Sequence, residues 1–201
     1  VKVCGLSRPE DVELCAGLGA EFLGFNFSAE SPRRIGLEQV SRAVCAGGSA
    51  RRVGVFVSET AGFIREAIEA GRLQLLQFHR ELSAADFEFG LPVVAVCRVG
   101  SDDPRLPAEA LLSRCRALLF DTADPSKVGG TGAAFDWGKL EGRHLSRCRW
   151  LAGGLRAENV EAAIRLVRPE VVDVASGVEI SPGVKDHEQL KRFFDAVRRA
   201  A

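Results

Sequence analysis

Eight short runs of β-branched and apolar residues recur along the chain: VKVC (1–4), FLGFNF (22–27), RVGVFV (52–57), LQLLQF (73–78), VVAVC (93–97), ALLFD (117–121), RWLAGG (149–154) and VVDVAS (171–176). Between them lie segments with helical spacing of apolar residues, as in PEDVELCAGLG (9–19), LEQVSRAVCAG (37–47), TAGFIREAIEAG (60–71), AENVEAAIRLV (157–167) and HEQLKRFFDAVRR (187–199). The repeat of roughly 20 to 30 residues is the size of one strand plus one helix. Local punctuation agrees. Pro9 suits a first helical turn, with Glu10 and Asp11 at the positive end of the dipole, and Gly19 and Gly71 stand where left-handed caps close a helix. The fourth helix, around 83–89, and the sixth, around 135–142, are expected to be short. Eight such units fit either a closed (β/α)8 TIM barrel or an open doubly wound sheet. The even unit count, and a first turn that lacks GxGxxG, favour the barrel, built as one domain over 1–201.

Composition narrows what such a barrel handles. Lys plus Arg and Asp plus Glu balance at 27 each, which leaves neither a basic stripe for nucleic acid nor a charged face for a membrane, and points to a small polar ligand. No apolar stretch approaches the ~20 residues that span a bilayer. The six cysteines, at 4, 15, 45, 97, 115 and 148, are scattered without a CxxC pair or a nearby histidine at zinc-ligand spacing. They read as reduced thiols of a cytoplasmic protein that carries no metal.

In a barrel the active site is built at the C-terminal ends of the strands. Those positions are Cys4, Asn26 followed by Arg33 and Arg34, His79 and Arg80, Arg98, Asp121, Gly153 and Gly154, and Ser176 and Gly177. The loop after the sixth strand, 122–137, is the longest and carries Gly129, Gly130 and Gly132, which suits a lid. The glycine turns LAGGL (151–155) and ASGVE (175–179) serve equally as tight βα connections or as a phosphate grip, and their place on consecutive strands favours phosphate. Asp121 follows an apolar run, where desolvation raises a carboxyl pKa and favours a proton donor; a structural cap is the other reading. His79 reads first as a satisfied rim histidine. Arg33 and Arg34 are either a solvated pair or a clamp for a carboxylate.

These residues, in this order, resemble the phosphoribosylanthranilate isomerase family of tryptophan biosynthesis. The blocks that carry the resemblance are VKVCGLSRPEDV (1–12), LGFNF with ESPRRI (23–35), VGVFV (53–57), LQFHRE (76–81), LLFDT (118–122), GGTGAAFDW (129–137), LAGGLRAENV (151–160) and VDVASGVEISPGVKD (172–186). The resemblance implies a cofactor-free Amadori rearrangement of N-(5-phosphoribosyl)anthranilate to 1-(2-carboxyphenylamino)-1-deoxyribulose 5-phosphate. By position it makes Cys4 the general base and Asp121 the general acid. It assigns Arg33 to the anthranilate carboxylate, and His79, Gly130, Gly132 and Asp173 to the substrate. Gly153, Gly154, Ser176 and Gly177 become the phosphate grip. The only partner implied is the phosphosugar, with the protein a monomer or a homodimer.

Three positions depart from the family's usual pattern: Arg80 where Gly is common, Ala133 where Lys is common, and Ala175 in place of Ser. A histidine-pathway isomerase would use an aspartate pair, and Cys4 at the end of the first strand disfavours that reading. A non-catalytic phosphosugar-binding barrel is disfavoured by the retained acid and base.

Overall fold

A computed structural model describes residues 1–100, 106–122, 136–140 and 148–200. Eight parallel strands follow one another around a closed barrel. They are β1 (Lys2–Val3), β2 (Phe22–Asn26), β3 (Arg51–Phe56), β4 (Leu75–Phe78), β5 (Val93–Val99), β6 (Ala117–Thr122), β7 (Cys148–Leu151) and β8 (Val171–Val174). Closure is made where β1 pairs with β8, Lys2 opposite Asp173 and Val3 opposite Val174, and the Cys4 N–H extends it by donating to the Val174 carbonyl at 2.8 Å.

The outer layer is less regular than the strands. Helices α1 (Pro9–Gly17), α2 (Leu37–Ala43), α3 (Ala61–Gly71), α4 (Glu109–Leu112), α5 (Val160–Val167) and α6 (His187–Ala200) follow strands one, two, three, five, seven and eight. Among the described residues, the fourth and sixth connections hold only 3-10 turns, Ala84–Phe87 and Trp137–Leu140. Gly19 adopts φ +93 beyond α1, the left-handed place expected of it. The left-handed cap of α3 falls instead on Arg72, at φ 44. Gly71 remains helical, and a Cβ there would come 2.8 Å from the Leu73 side chain, so its smallness serves packing. After β8 the chain makes a 3-10 turn (Ser176–Val178) and then a small antiparallel hairpin, β9 (Glu179–Ser181) with β10 (Val184–Lys185), which no apolar run announces.

Two apolar cores follow from strand alternation. The larger packs the outward faces of the strands against the helices and includes Val3, Leu23, Phe25, Cys97, Phe120 and Val172. The smaller contains Phe22, Val53, Leu75, Val94, Ala117, Leu119, Trp150 and Val171. Phe22 and Trp150 sit on β2 and β7, which are not neighbours, yet their ring centroids are 4.6 Å apart; such a contact is made only across the barrel interior. Extending this inward parity toward the C-terminal ends gives Lys2 and Cys4, Gly24 and Asn26, Gln77 and His79, Arg98, Asp121 and Asp173. The barrel is thus apolar below and polar at its mouth.

Candidate active site

Lys2 is fully buried inside the barrel, and its Nζ donates to Asp173 Oδ2 at 2.6 Å. Cys4 lies one inward position further along the same strand. Both side chains end over Gly24 of β2: a Cβ on that glycine would stand 2.9 Å from Cys4 Sγ and 3.1 Å from Lys2 Nζ. Burial pushes the Cys4 thiol above its ordinary pKa, Asp173 adds to that push, and Lys2 and Lys185 oppose it. Burial likewise raises Asp173 against the pull of Lys2. Burial alone would depress Lys2, but Asp173 and Cys4 hold its ammonium above the usual value.

Asp121, at the end of β6, is pushed up to about 6, chiefly by burial. The Thr122 N–H donates to its Oδ1 at 2.8 Å and partly offsets the push, while Asp173, Arg98 and Lys2 also bear on it. Cys4 and Asp121 therefore share Lys2 and Asp173 as electrostatic neighbours around one mouth. The β7 turn closes on Asp121 from the side. Gly153 adopts φ +85, and a Cβ there would lie 3.2 Å from Asp121 Oδ1 and collide with Thr122. Gly154 follows at φ +65, and its carbonyl accepts from Asn159 Nδ2 at 2.9 Å. A Cβ on Gly177 would strike the Leu155 carbonyl, so the two glycine turns interlock, with Ser176 beginning the 3-10 turn between them. The four residues expected to form the phosphate grip are brought together.

Arg33 comes over β1 from the loop after β2; a Cβ on Gly5 (φ +73) would lie 2.5 Å from its Cδ. Its guanidinium is not a solvated half of a pair with Arg34. Nε donates to both Glu179 oxygens at 3.0 Å and Nη2 to Oε2 at 2.7 Å. Buried Lys185 meets the same carboxylate at 2.8 Å and also donates to the carbonyls of Cys4 at 2.6 Å and Ala175 at 3.3 Å. Two cations on one carboxylate leave a net positive charge beside the thiol, and Arg33 Nη1 has no protein partner among the described residues.

His79 Nε2 lies 2.8 Å from the side-chain amide of Gln77. Burial, with Lys2 and Arg98, pushes its pKa down to about 3 and keeps the ring neutral. His79 and Arg98 open onto a cavity of about 430 Å³ between the ends of β4 and β5, lined also by Leu82, Leu106 and Pro107. The departure at Arg80 is absorbed locally: its guanidinium pairs with Asp86 through bonds of 2.8 and 2.6 Å and lies over the Phe78 ring. Gly130, Gly132 and Ala133 lie outside the described residues.

Sequence reasoning missed Lys2, Gln77, Glu179 and Lys185. For Lys2 and Gln77 a signal existed, since strand alternation places both inside the barrel; the other two enter through the unannounced hairpin. All six cysteines are free thiols. Among the described residues, none of the His, Cys, Asp and Glu side chains cluster in a way that would hold a metal, and no helix is long and apolar enough to cross a membrane.

Residues 1–196 match the family described as N-(5'phosphoribosyl)anthranilate (PRA) isomerase. The N-(5'-phosphoribosyl)anthranilate isomerase of Pseudomonas fluorescens strain Pf-5 is 41% identical over 202 residues, covering 99% of this chain and 95% of its own. The crystal structure of phosphoribosyl anthranilate isomerase from Thermotoga maritima superposes with a TM-score of 0.86 at 34% identity, covering 98% of each chain. Another phosphoribosyl anthranilate isomerase, in complex with reduced 1-(o-carboxyphenylamino)-1-deoxyribulose 5-phosphate, superposes with a TM-score of 0.77 at 30% identity over 98% of this chain and 97% of its own. By its match along nearly the whole length and by its barrel, the chain belongs to the N-(5'-phosphoribosyl)anthranilate isomerase family.

Proposed function

We propose that the chain converts N-(5'-phosphoribosyl)anthranilate into 1-(2-carboxyphenylamino)-1-deoxyribulose 5-phosphate, a step of tryptophan biosynthesis, with Asp121 as general acid and Cys4 as general base. The observation that carries the assignment of roles is the pairing, at one barrel mouth, of a carboxyl raised to about 6 with a thiol backed by a buried ammonium. Asp121, protonated, gives its proton to the furanose ring oxygen as the C1–O bond breaks. The anilino nitrogen's lone pair then forms an iminium at C1, which acidifies the hydrogen on C2. Cys4 as thiolate takes that proton, and the resulting enolamine tautomerises to the keto product. Each proton is moved by a side chain, so no step calls for a cofactor.

Binding follows from the same frame. The interlocked turns at Gly153, Gly154, Ser176 and Gly177 hold the phosphate beside Asp121. Arg33, braced by Glu179, offers its remaining N–H groups to the anthranilate carboxylate, a planar match for a guanidinium. Neutral His79 and the inward Asp173 complete the substrate contacts. In this reading the protein works in the cytoplasm on a small phosphosugar, as a monomer or homodimer.

The test is direct: freshly made phosphoribosylanthranilate is added to purified protein and its fluorescence is followed. Loss faster than the spontaneous rate, abolished by Cys4→Ala, is expected. A wild type that gives no acceleration would overturn the function, and an active Cys4→Ala would overturn the role.

A further inference from the structure

We infer that Lys2 is a positioning residue for the reaction: its buried ammonium, held by Asp173 beside Cys4, is the counter-charge that makes the Cys4 thiolate available as base. The inference rests on the isomerase reading and adds to it a residue to which neither the sequence motifs nor the family match gives a role.

Three observations carry it. Lys2 is fully excluded from solvent inside a barrel whose neighbouring interior layers are apolar, a place where an ammonium is costly unless its partners repay the desolvation. Asp173 supplies one partner at 2.6 Å, on the strand that closes the barrel against β1. The second is the thiol: Cys4 Sγ and Lys2 Nζ converge on the space that Gly24 leaves open, and any larger residue there would push them apart. A lysine needed only to balance Asp173 would not have to end beside the sulfur.

The arrangement favours the ionised thiol by charge. Cys4 is part-exposed and can give its proton to solvent at the barrel mouth, while Lys2 stays an ammonium and Asp173 a carboxylate. The ammonium, held on Asp173 Oδ2 with its Nζ near the sulfur over Gly24, is then the counter-ion of the new thiolate. Burial raises the thiol, and Lys2 is the group on its own strand that opposes that push. The charged groups facing Cys4 are Lys2 on its own strand, Asp173 on β8 and Lys185 on β10. Lys185 is tied to Glu179 and to the Cys4 and Ala175 carbonyls, which leaves Lys2 as the counter-charge to the sulfur.

The experiment follows the thiol itself. Alkylation of Cys4 by iodoacetamide is measured from pH 5 to 10, with peptide mass spectrometry separating Cys4 from the other five cysteines, in wild type, Lys2→Met and Lys2→Arg. Lys2→Met is expected to slow Cys4 alkylation at neutral pH by about tenfold or more, moving its midpoint up by at least one unit. It should also lower kcat by about 100-fold with KM changed only a few-fold. Lys2→Arg, which keeps the charge, should restore part of the alkylation rate. A wild-type alkylation profile in Lys2→Met overturns the proposal. If Lys2→Met does not fold because Asp173 is left unpaired, Lys2→Gln, which keeps a donor for Asp173 without the charge, takes its place, and a wild-type profile in that variant overturns it equally. A wild-type Cys4 that gains no reactivity across the pH range does the same. Alkylation needs no substrate, so a wild type that lacks isomerase turnover defeats the functional reading while leaving the thiol result to be judged alone.

Discussion

Asp121 is held in a state that costs the fold stability, and Asp121→Asn should release that cost while destroying activity. Its pKa rises from 3.8 to about 6, mainly because burial disfavours the charged form. A displacement of about two units corresponds to roughly 3 kcal/mol. The sign is fixed by proton binding. Between about pH 4 and pH 6 the folded state binds more protons at this site than the unfolded chain, so stability falls as pH rises through that window and the full cost is present above it. Asparagine stays neutral at every pH and keeps an acceptor at Oδ1 for the Thr122 N–H, which now lies 2.8 Å from the carboxylate. The side chain opens on the mouth and is partly screened, so the expected gain at pH 8 is about 1 to 3 kcal/mol, vanishing near pH 4. Urea unfolding of both proteins at pH 8 and pH 4 measures it, provided the m-values agree. The same displacement makes a neutral-pH proton donor: at pH 7 about 10% of Asp121 is protonated, against about 0.1% for an ordinary carboxyl. An Asp121→Asn protein no more stable than wild type at pH 8, or equally stabilised at pH 4, would refute the reasoning.

Asp11 should show the opposite pH dependence. Burial would raise its pKa, but Arg8, His187 and the Lys185 N–H hold it below the usual carboxylate range, so its contribution is present at neutral pH and lost as pH falls through its folded pKa. Asp11→Asn should therefore lower stability by about 1 to 3 kcal/mol at pH 7 and by less at pH 3, as read by urea unfolding; an equal loss at both pH values would contradict this. Gly24→Ala places a methyl 3.0 Å from the Cys4 Cα as well as against Sγ and Nζ. It should cost about 1 to 3 kcal/mol and reduce kcat at least about tenfold, and wild-type kcat would show that the tight fit over Gly24 is unimportant. Glu179→Gln weakens the brace on Arg33 and Lys185. KM should rise about tenfold or more with a smaller change in kcat, and an unaltered KM would remove Arg33 from carboxylate binding.

How much was legible beforehand follows from which forces act locally. All eight strands stand within a few residues of their apolar runs, because a short continuous run between turn signals leaves little else to form. Helix α4, four residues of EALL after β5, is too short for a helical pattern to repeat. The β9–β10 hairpin was invisible for another reason: its strands are short, and they place the apolar Ile180 in solvent at 73% exposure while burying the charged Lys185, so no hydrophobic period marks them. The left-handed cap assigned to Gly71 moved to Arg72 because the contact with Leu73, two residues on, decides the glycine's role. Cys4, Asp121, Gly153, Gly154, Ser176 and Gly177 could be placed at the mouth because a strand end is a local feature. The ion pair of Arg33 could not, since its partner Glu179 lies 146 residues away on that unmarked hairpin.

Lys2 shows why the remaining information is tertiary rather than absent. In an isolated two-residue strand a lysine between two valines reads as the solvent-facing position of an alternating pattern. Closing the barrel reverses that reading: Val3 faces the helices, Lys2 and Cys4 face the interior, and the chain must supply Asp173 from the far end of the sequence to make the ammonium tolerable. The pair sits at the seam between the first and last strands, where Lys185 also ties the Cys4 and Ala175 carbonyls together. Barrel closure and the placement of the thiol thus depend on the same few buried charges. A substitution that loosens the seam should impair Cys4 even when it touches no substrate.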